Sequence, residues 1–308
     1  MQTEIADPIP IAGGTLNVWY RRTNAPGLLH LAAHLSLLLL TGAGIWAARG
    51  TFWIWPAMWA HGVVLVFLFT PLHESIHRTA FRSRALNETV ALVIGFLILL
   101  PREYFRAFHF AHHRFTQDPT RDPELAAPKP RSVAGWLWQA SGLPYWIAEV
   151  RLIANHARGR AREPFYKDER QCRSVIAEAR LALAIYAAVL VISLATGSTA
   201  ALLYWVIPAL LGQPALRLYL MAEHALCPFT DDMLVNTRTT YTNAALRFLA
   251  WNMPYHAEHH AFPAVPFHRL PEVNRTIAPR LKTTSNGYLS VQRDLLASYS
   301  RRNPALPA

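Results

Sequence analysis

Apolar positions in this chain fall into long uncharged runs. Leu28–Ala48 contains no charge, and after Arg49, Gly50 and Thr51 a second uncharged run covers Phe52–Leu72. Each is about the 20 residues that cross a bilayer core as a helix. Leu181–Gly197 and Thr199–Met221 form a second such pair, with one charge, Arg217, near the far end. Two uncharged helix pairs joined by very short turns fit a soluble fold poorly. The pattern therefore predicts an all-α integral membrane protein, with four transmembrane helices over residues 28–48, 52–72, 181–197 and 199–221 in two hairpins. Thr89–Leu100 is apolar but too short to cross. Gly135–Val150 mixes Trp136, Trp138 and Trp146 with Gln139 and Glu149, as an interfacial helix would.

Composition changes the picture in one respect. A chain of 308 residues is long enough for two soluble domains, but 52% of it is apolar and only 16% charged, against roughly 25% charged in an ordinary soluble domain. A single membrane domain over residues 1–308 is the better expectation. Disordered, coiled-coil and disulfide-scaffold classes are excluded, since Cys172 and Cys227 are the only cysteines.

The formal net charge is +11, and the basic residues are distributed unevenly: 17 Lys and Arg lie between His73 and Arg180 and 10 from Arg217 onward, while Arg49 alone sits in a short turn. By the positive-inside rule, both termini and the segments 73–180 and 222–308 are expected on the cytoplasmic side, as a cap on the helices. In a bacterium this would be the inner membrane. The surplus charge then marks topology and contact with anionic lipid, and is not a nucleic-acid footprint. No secretory signal pattern precedes the first apolar run.

Three histidine clusters stand beside these runs. His73 and His77 are spaced i, i+4, so both face one side of a helix and can reach one metal. His109, His112 and His113, and again His256, His259 and His260, repeat the pattern His-x-x-His-His. With 14 His in 308 residues, that word has a chance of roughly one in ten thousand per position. Two copies in one chain are a signal. The 12-residue apolar run between the first two clusters cannot cross a membrane, and the second hairpin returns the third cluster to the same side. Eight imidazoles exceed what one metal takes and suit two. Redox-active irons beside a bilayer would point to oxygen activation and attack on an unactivated C–H bond.

These boxes, in this order and at this spacing from the hairpins, resemble the membrane-bound fatty acid desaturase and hydroxylase superfamily. The words His113-Arg-Phe-Thr-Gln-Asp118-Pro-Thr-Arg-Asp122-Pro and Tyr255 through Pro263 are similar to it too. The resemblance implies four transmembrane helices, a cytoplasmic cap, a di-iron centre and O2 as co-substrate. It also implies a ninth ligand just after the last span, where His224 stands. Some members place an asparagine four residues earlier that reaches a metal through water; Leu220 occupies that position here, and Glu223 or Asn252 are candidates to stand in.

Carboxylates beside the boxes, Asp118, Asp122 and Glu258, are expected to accept the second N–H of a ligating ring. Glu74 is open between that role and a surface salt bridge. His30 and His34 read as core or substrate-channel residues, His61 lies too far along its helix to share a metal with His73, and His156 and His268 read as solvent or interfacial.

The expected activity is an oxygen-dependent lipid desaturase fed by an external electron carrier such as a ferredoxin, because two cysteines cannot hold an iron–sulfur cluster. Hydroxylation of a lipid or carotenoid-like substrate is the alternative on the same site, and a non-enzymatic metal transporter or sensor is the alternative of another class.

Overall fold

The computed structural model of the protein describes residues 11 and 13–300, so expectations for residues 1–10 and 301–308 lie outside the described residues. A short α1 (Gly13–Trp19) precedes α2 (Ala25–Ala47). After the expected turn come α3 (Ile54–Val66) and α4 (Phe69–His77), which together form a 24-residue apolar stretch. The break between them has a local cause. Pro71 lacks the N–H that would reach the Phe67 carbonyl, and the Thr70 hydroxyl donates to that oxygen at 2.9 Å. No breaker follows Leu72, the expected end of this span. The helix runs on to His77 and stops where Arg78 adopts a left-handed φ of 60°.

α5 (Arg84–Leu97) and α6 (Arg102–Phe115) meet at an angle of 102°. Pro101 sits at the corner, and the Glu178 carboxylate accepts the free N–H groups of Arg102 and Glu103 at 3.3 and 2.7 Å, a cap on an otherwise unpaired helix start. The stretch read as one interfacial helix is two, α7 (Val133–Ala140) and α8 (Leu143–Ala157), divided at Gly142, whose φ of 74° favours glycine. α9 (Glu169–Thr196) has 28 residues and begins well before the expected Leu181, because Asp168 caps it by accepting from the Gln171 N–H. It ends at left-handed Gly197.

The expected helix over 199–221 is not one uninterrupted α-helix. A π-helical turn at Leu202–Val206 leads into α10 (Ile207–His224), which contains Pro214. Three stretches are long and apolar enough to cross a membrane, Ala25–Ala47, Ile54–His77 and Glu169–Thr196, or four if the bent α5–α6 pair is one span. α10 instead packs backbone to backbone on α3. A Cβ on Gly62 would lie 1.8 Å from the Pro208 carbonyl oxygen, and one on Gly212 would lie 2.1 Å from the Gly62 carbonyl carbon. Small residues at such a crossing let apolar helices approach closely.

The remaining chain comprises α11 (Met233–Asn236), β1 (Thr239–Tyr241), α12 (Ala244–Leu249), α13 (His256–Ala261), α14 (Leu270–Ile277), β2 (Thr284–Asn286) and α15 (Tyr288–Ser300). β1 and β2 pair in parallel, Thr239 opposite Thr284, a two-stranded departure from the all-α expectation. Fully buried Phe67, Phe81, Trp251 and Phe267 join this part to the apolar helices. By contrast, Leu29, Leu39, Trp46 and Leu194 are each at least 66% exposed. Bare apolar side chains on helices long enough to span are the surface that lipid covers, and the chain is a membrane protein. Gly212→Val should force α3 and α10 apart. We expect it to lower stability in detergent by about 1–3 kcal/mol, measured by thermal unfolding; an unchanged melting temperature would contradict the close packing.

Candidate metal centre

Nine histidines from four elements converge at one buried place. α4 presents His73 and His77 one turn apart, and α6 presents His109, His112 and His113. His224 is the last residue of α10, and α13 contributes His256, His259 and His260. They divide into two sets. Nitrogens of His73, His77, His109, His113 and His259 lie within 4.8 Å of one another, as do those of His112, His224 and His260. His256 stands with the second set, its Nε2 3.2 Å from His224 Nε2. The three sequence clusters therefore do not map onto the two sets: the second and third boxes each contribute to both.

Hydrogen bonds on the far side of the rings settle which nitrogen is bare. His112 Nδ1 donates to Asp122 Oδ1 at 2.9 Å. His224 Nδ1 donates to the Asn236 carbonyl at 3.3 Å. Thr116 spends its own proton on the His112 carbonyl, so its hydroxyl oxygen accepts from His260 Nδ1 at 3.2 Å. In the neutral form of each ring Nε2 then carries a lone pair and faces inward. His112 and His224 bring these nitrogens within 3.2 Å of each other, a separation that a shared cation accommodates.

In the five-histidine set, His113 Nε2 lies 2.9 Å from His109 Nε2 and 3.1 Å from His259 Nε2. Buried and without a partner are both nitrogens of His73, Nε2 of His77 and Nε2 of His260. Each such orphan costs about 1–3 kcal/mol when nothing pairs with it.

The spacing fits metal ligation. Two nitrogens bound at about 2.1 Å and at right angles are about 3.0 Å apart, the separation these Nε2 pairs show. Burial, then the surrounding imidazoles, hold His256, His259 and His260 well below the ordinary histidine pKa. They are neutral at neutral pH and free to ligate.

The flanking carboxylates separate sharply. Asp122, buried, accepts from His112 and also takes the Gln117 N–H through Oδ2 at 2.8 Å. Glu223 Oε1 approaches His256 Nδ1 only to 3.6 Å. Asp118 touches no histidine. It bonds Thr120 and Arg121 in an exposed loop, and these bonds, first those to Thr120, push its pKa down to about 2. Glu258 points away from the rings as well, to Thr239 and Asn274, because residues two apart on a helix face opposite sides. Asn252 donates to the Phe267 carbonyl at 3.2 Å.

Glu74 makes no surface salt bridge. It is fully buried and accepts from Thr79 and the Phe267 N–H. His156 is buried, not interfacial, and bonded to Glu163 at 2.8 Å. His30 and His34 belong to the core, bonded to the Phe248 and Val64 carbonyls. His61 is bonded to Thr41 and to the Tyr204 carbonyl. Thr116 and Asn236 went unanticipated. Only the position of Thr116, one turn beyond His112 on the same helix face, could have signalled it.

A cavity of about 510 Å³ opens on the inner faces of His73, His109, His112 and His256. Phe69, Phe105, Phe108 and Met253 form apolar wall, and Glu149 and Arg217 stand in its polar part.

Frame and cluster define a helical membrane protein built around a buried, histidine-only nitrogen cluster. The fatty acid desaturase family matches residues 50–291, and the chain belongs to that family. It is thereby an oxidoreductase. Among its relatives, the sphingolipid delta(4)-desaturase/C4-monooxygenase DES2 of Rattus norvegicus is 27% identical over 254 residues, 80% of this chain and 72% of that protein. The delta(12) fatty acid desaturase of Mortierella alpina is 32% identical over 38% of this chain and 30% of its own length. The dihydrorhizobitoxine desaturase of Bradyrhizobium elkanii is 25% identical over 78% of this chain and 71% of its own.

Asp122→Asn should lose the fixed His112 tautomer. Its metal affinity is expected to fall about 10–100-fold, read by chelator competition, whereas Asp118→Asn should bind metal as the wild type does; equal losses in both would contradict the assignment.

Proposed function

We propose that the chain is an oxygen-dependent lipid desaturase whose nine histidines hold two irons, five on one and four on the other. The observation that carries this reading is the two sets of bare, buried imidazole nitrogens opening on an apolar-walled cavity. Irons bound there would supply the oxidising power to convert CH2–CH2, with O2, two electrons and two protons, into CH=CH and two waters.

The chain's own residues do the rest. Asp122, Asn236 and Thr116 hold the ring tautomers of His112, His224 and His260. Phe69, Phe105, Phe108 and Met253 exclude water beside the cluster and lay an alkyl chain against it. Burial of the site also limits side reactions with solvent.

Hydroxylation on the same site is the second reading, favoured by the rat relative, whose name joins a desaturase to a C4-monooxygenase. A metal transporter is disfavoured because His61, the deep histidine of the second apolar stretch, is engaged on both nitrogens within the helices.

The same reading includes a single domain over 1–308, four spans in two hairpins and a cytoplasmic cap carrying the irons. In it, the second hairpin is completed by the π-interrupted segment before His224. Electrons come from a ferredoxin-like carrier on the basic cap, so raising salt from low ionic strength should slow carrier-supported turnover. Mass spectrometry of lipids from cells with and without the active protein tests the reaction. We expect products short of two hydrogens; a gain of one oxygen would favour hydroxylation, and no lipid difference would overturn both.

A further inference from the structure

The polar part of the cavity is built, not incidental. Arg217 lines it on α10, its Cζ 4.3 Å from the centre of the Tyr145 ring, and its Nε is buried without a partner. Glu124, Glu149 and Glu223 line the same cavity, and none of them forms an ion pair with Arg217 among the described residues. Glu149 lines the same cavity from α8, is only 8% exposed, and leaves Oε2 without a partner. Arg217 is half-buried and Glu149 buried, and the atom of each that is shut off from solvent without a partner is costly unless a ligand completes it.

Position adds a length. Arg217 and His224 are seven residues apart on α10, two turns along one face, which is about 10 Å. The cavity's volume of about 510 Å³ is of the size that holds a small molecule.

Resting on the lipid-oxidation reading of this site, we propose that the substrate is a small amphiphile with an amino-acid-type head. Arg217 takes its acid group, Glu149 takes its amine, and the carbon to be oxidised lies beside the histidines that line the same cavity. A guanidinium suits a carboxylate by two parallel N–H bonds, and the carboxyl accepts from an ammonium. The carbonyl of an ester or thioester linkage would itself offer neither partner a charge.

The test is calorimetric titration of the full-length protein in detergent, metal-loaded and metal-free, with 2-aminooctanoate, octanoate, octylamine and octanol. The expected result is that 2-aminooctanoate binds at least about tenfold tighter than octanol in both forms. Arg217→Gln should weaken 2-aminooctanoate and octanoate about tenfold while sparing octylamine, and Glu149→Gln should do the converse, with Arg217→Lys retaining part of the affinity. Octanol binding as well as 2-aminooctanoate, or wild-type binding in both neutral variants, would overturn the proposal. If a variant does not fold, the wild-type comparison of the four probes decides alone. Product analysis with O2 and a reductant keeps the two readings apart: discrimination among probes without any oxidised product supports the head-group assignment and counts against oxidation. Oxidation of a neutral acyl lipid without discrimination does the reverse.

Discussion

The structure depends on one constraint: imidazole nitrogens that are buried, neutral and aimed at one another must share a cation. The Nε2 atoms of His112 and His224 face each other at 3.2 Å, while Asp122 and the Asn236 carbonyl accept the Nδ1 protons on the far sides of the rings. The local devices around them serve that convergence. Arg78 turns left-handed immediately after His77, Glu178 caps the start of the helix that carries His109 to His113, and Thr116 fastens that helix to His260. None of these contacts is strong alone. Together they fix rings from four separated elements in two adjoining sets.

Much of the site was legible in sequence because helical periodicity is local. The i, i+3, i+4 spacing puts His109, His112 and His113 on one face whatever the rest of the chain does, and the structure brings all of them, with His224, to one place. The allotment of rings to two sets was not legible, since it depends on how α4, α6, α10 and α13 cross. The carboxylates show the same limit. Asp118 and Asp122 stand four residues apart in one loop and look equivalent, but only Asp122 turns inward.

The fold divides in the same way. Uncharged runs marked α2, α3 with α4, and α9, because hydropathy is a property of composition alone. Residues 199–221 look continuous by that measure, yet a π turn and Pro214 interrupt them and the Gly62–Gly212 contact seats α10 against α3. His156 passes for an interfacial residue until the loop carrying Glu163 folds over it.

The cavity brings members of both histidine sets together with apolar and polar wall in a membrane enzyme of the desaturase family. The central claim is that the nitrogen sets hold two metals, and X-ray absorption with metal analysis on gently purified protein addresses it directly. We expect about two irons per chain, each in a shell dominated by nitrogen at about 2.1 Å. A single zinc, or no stoichiometric metal in folded protein, would contradict it.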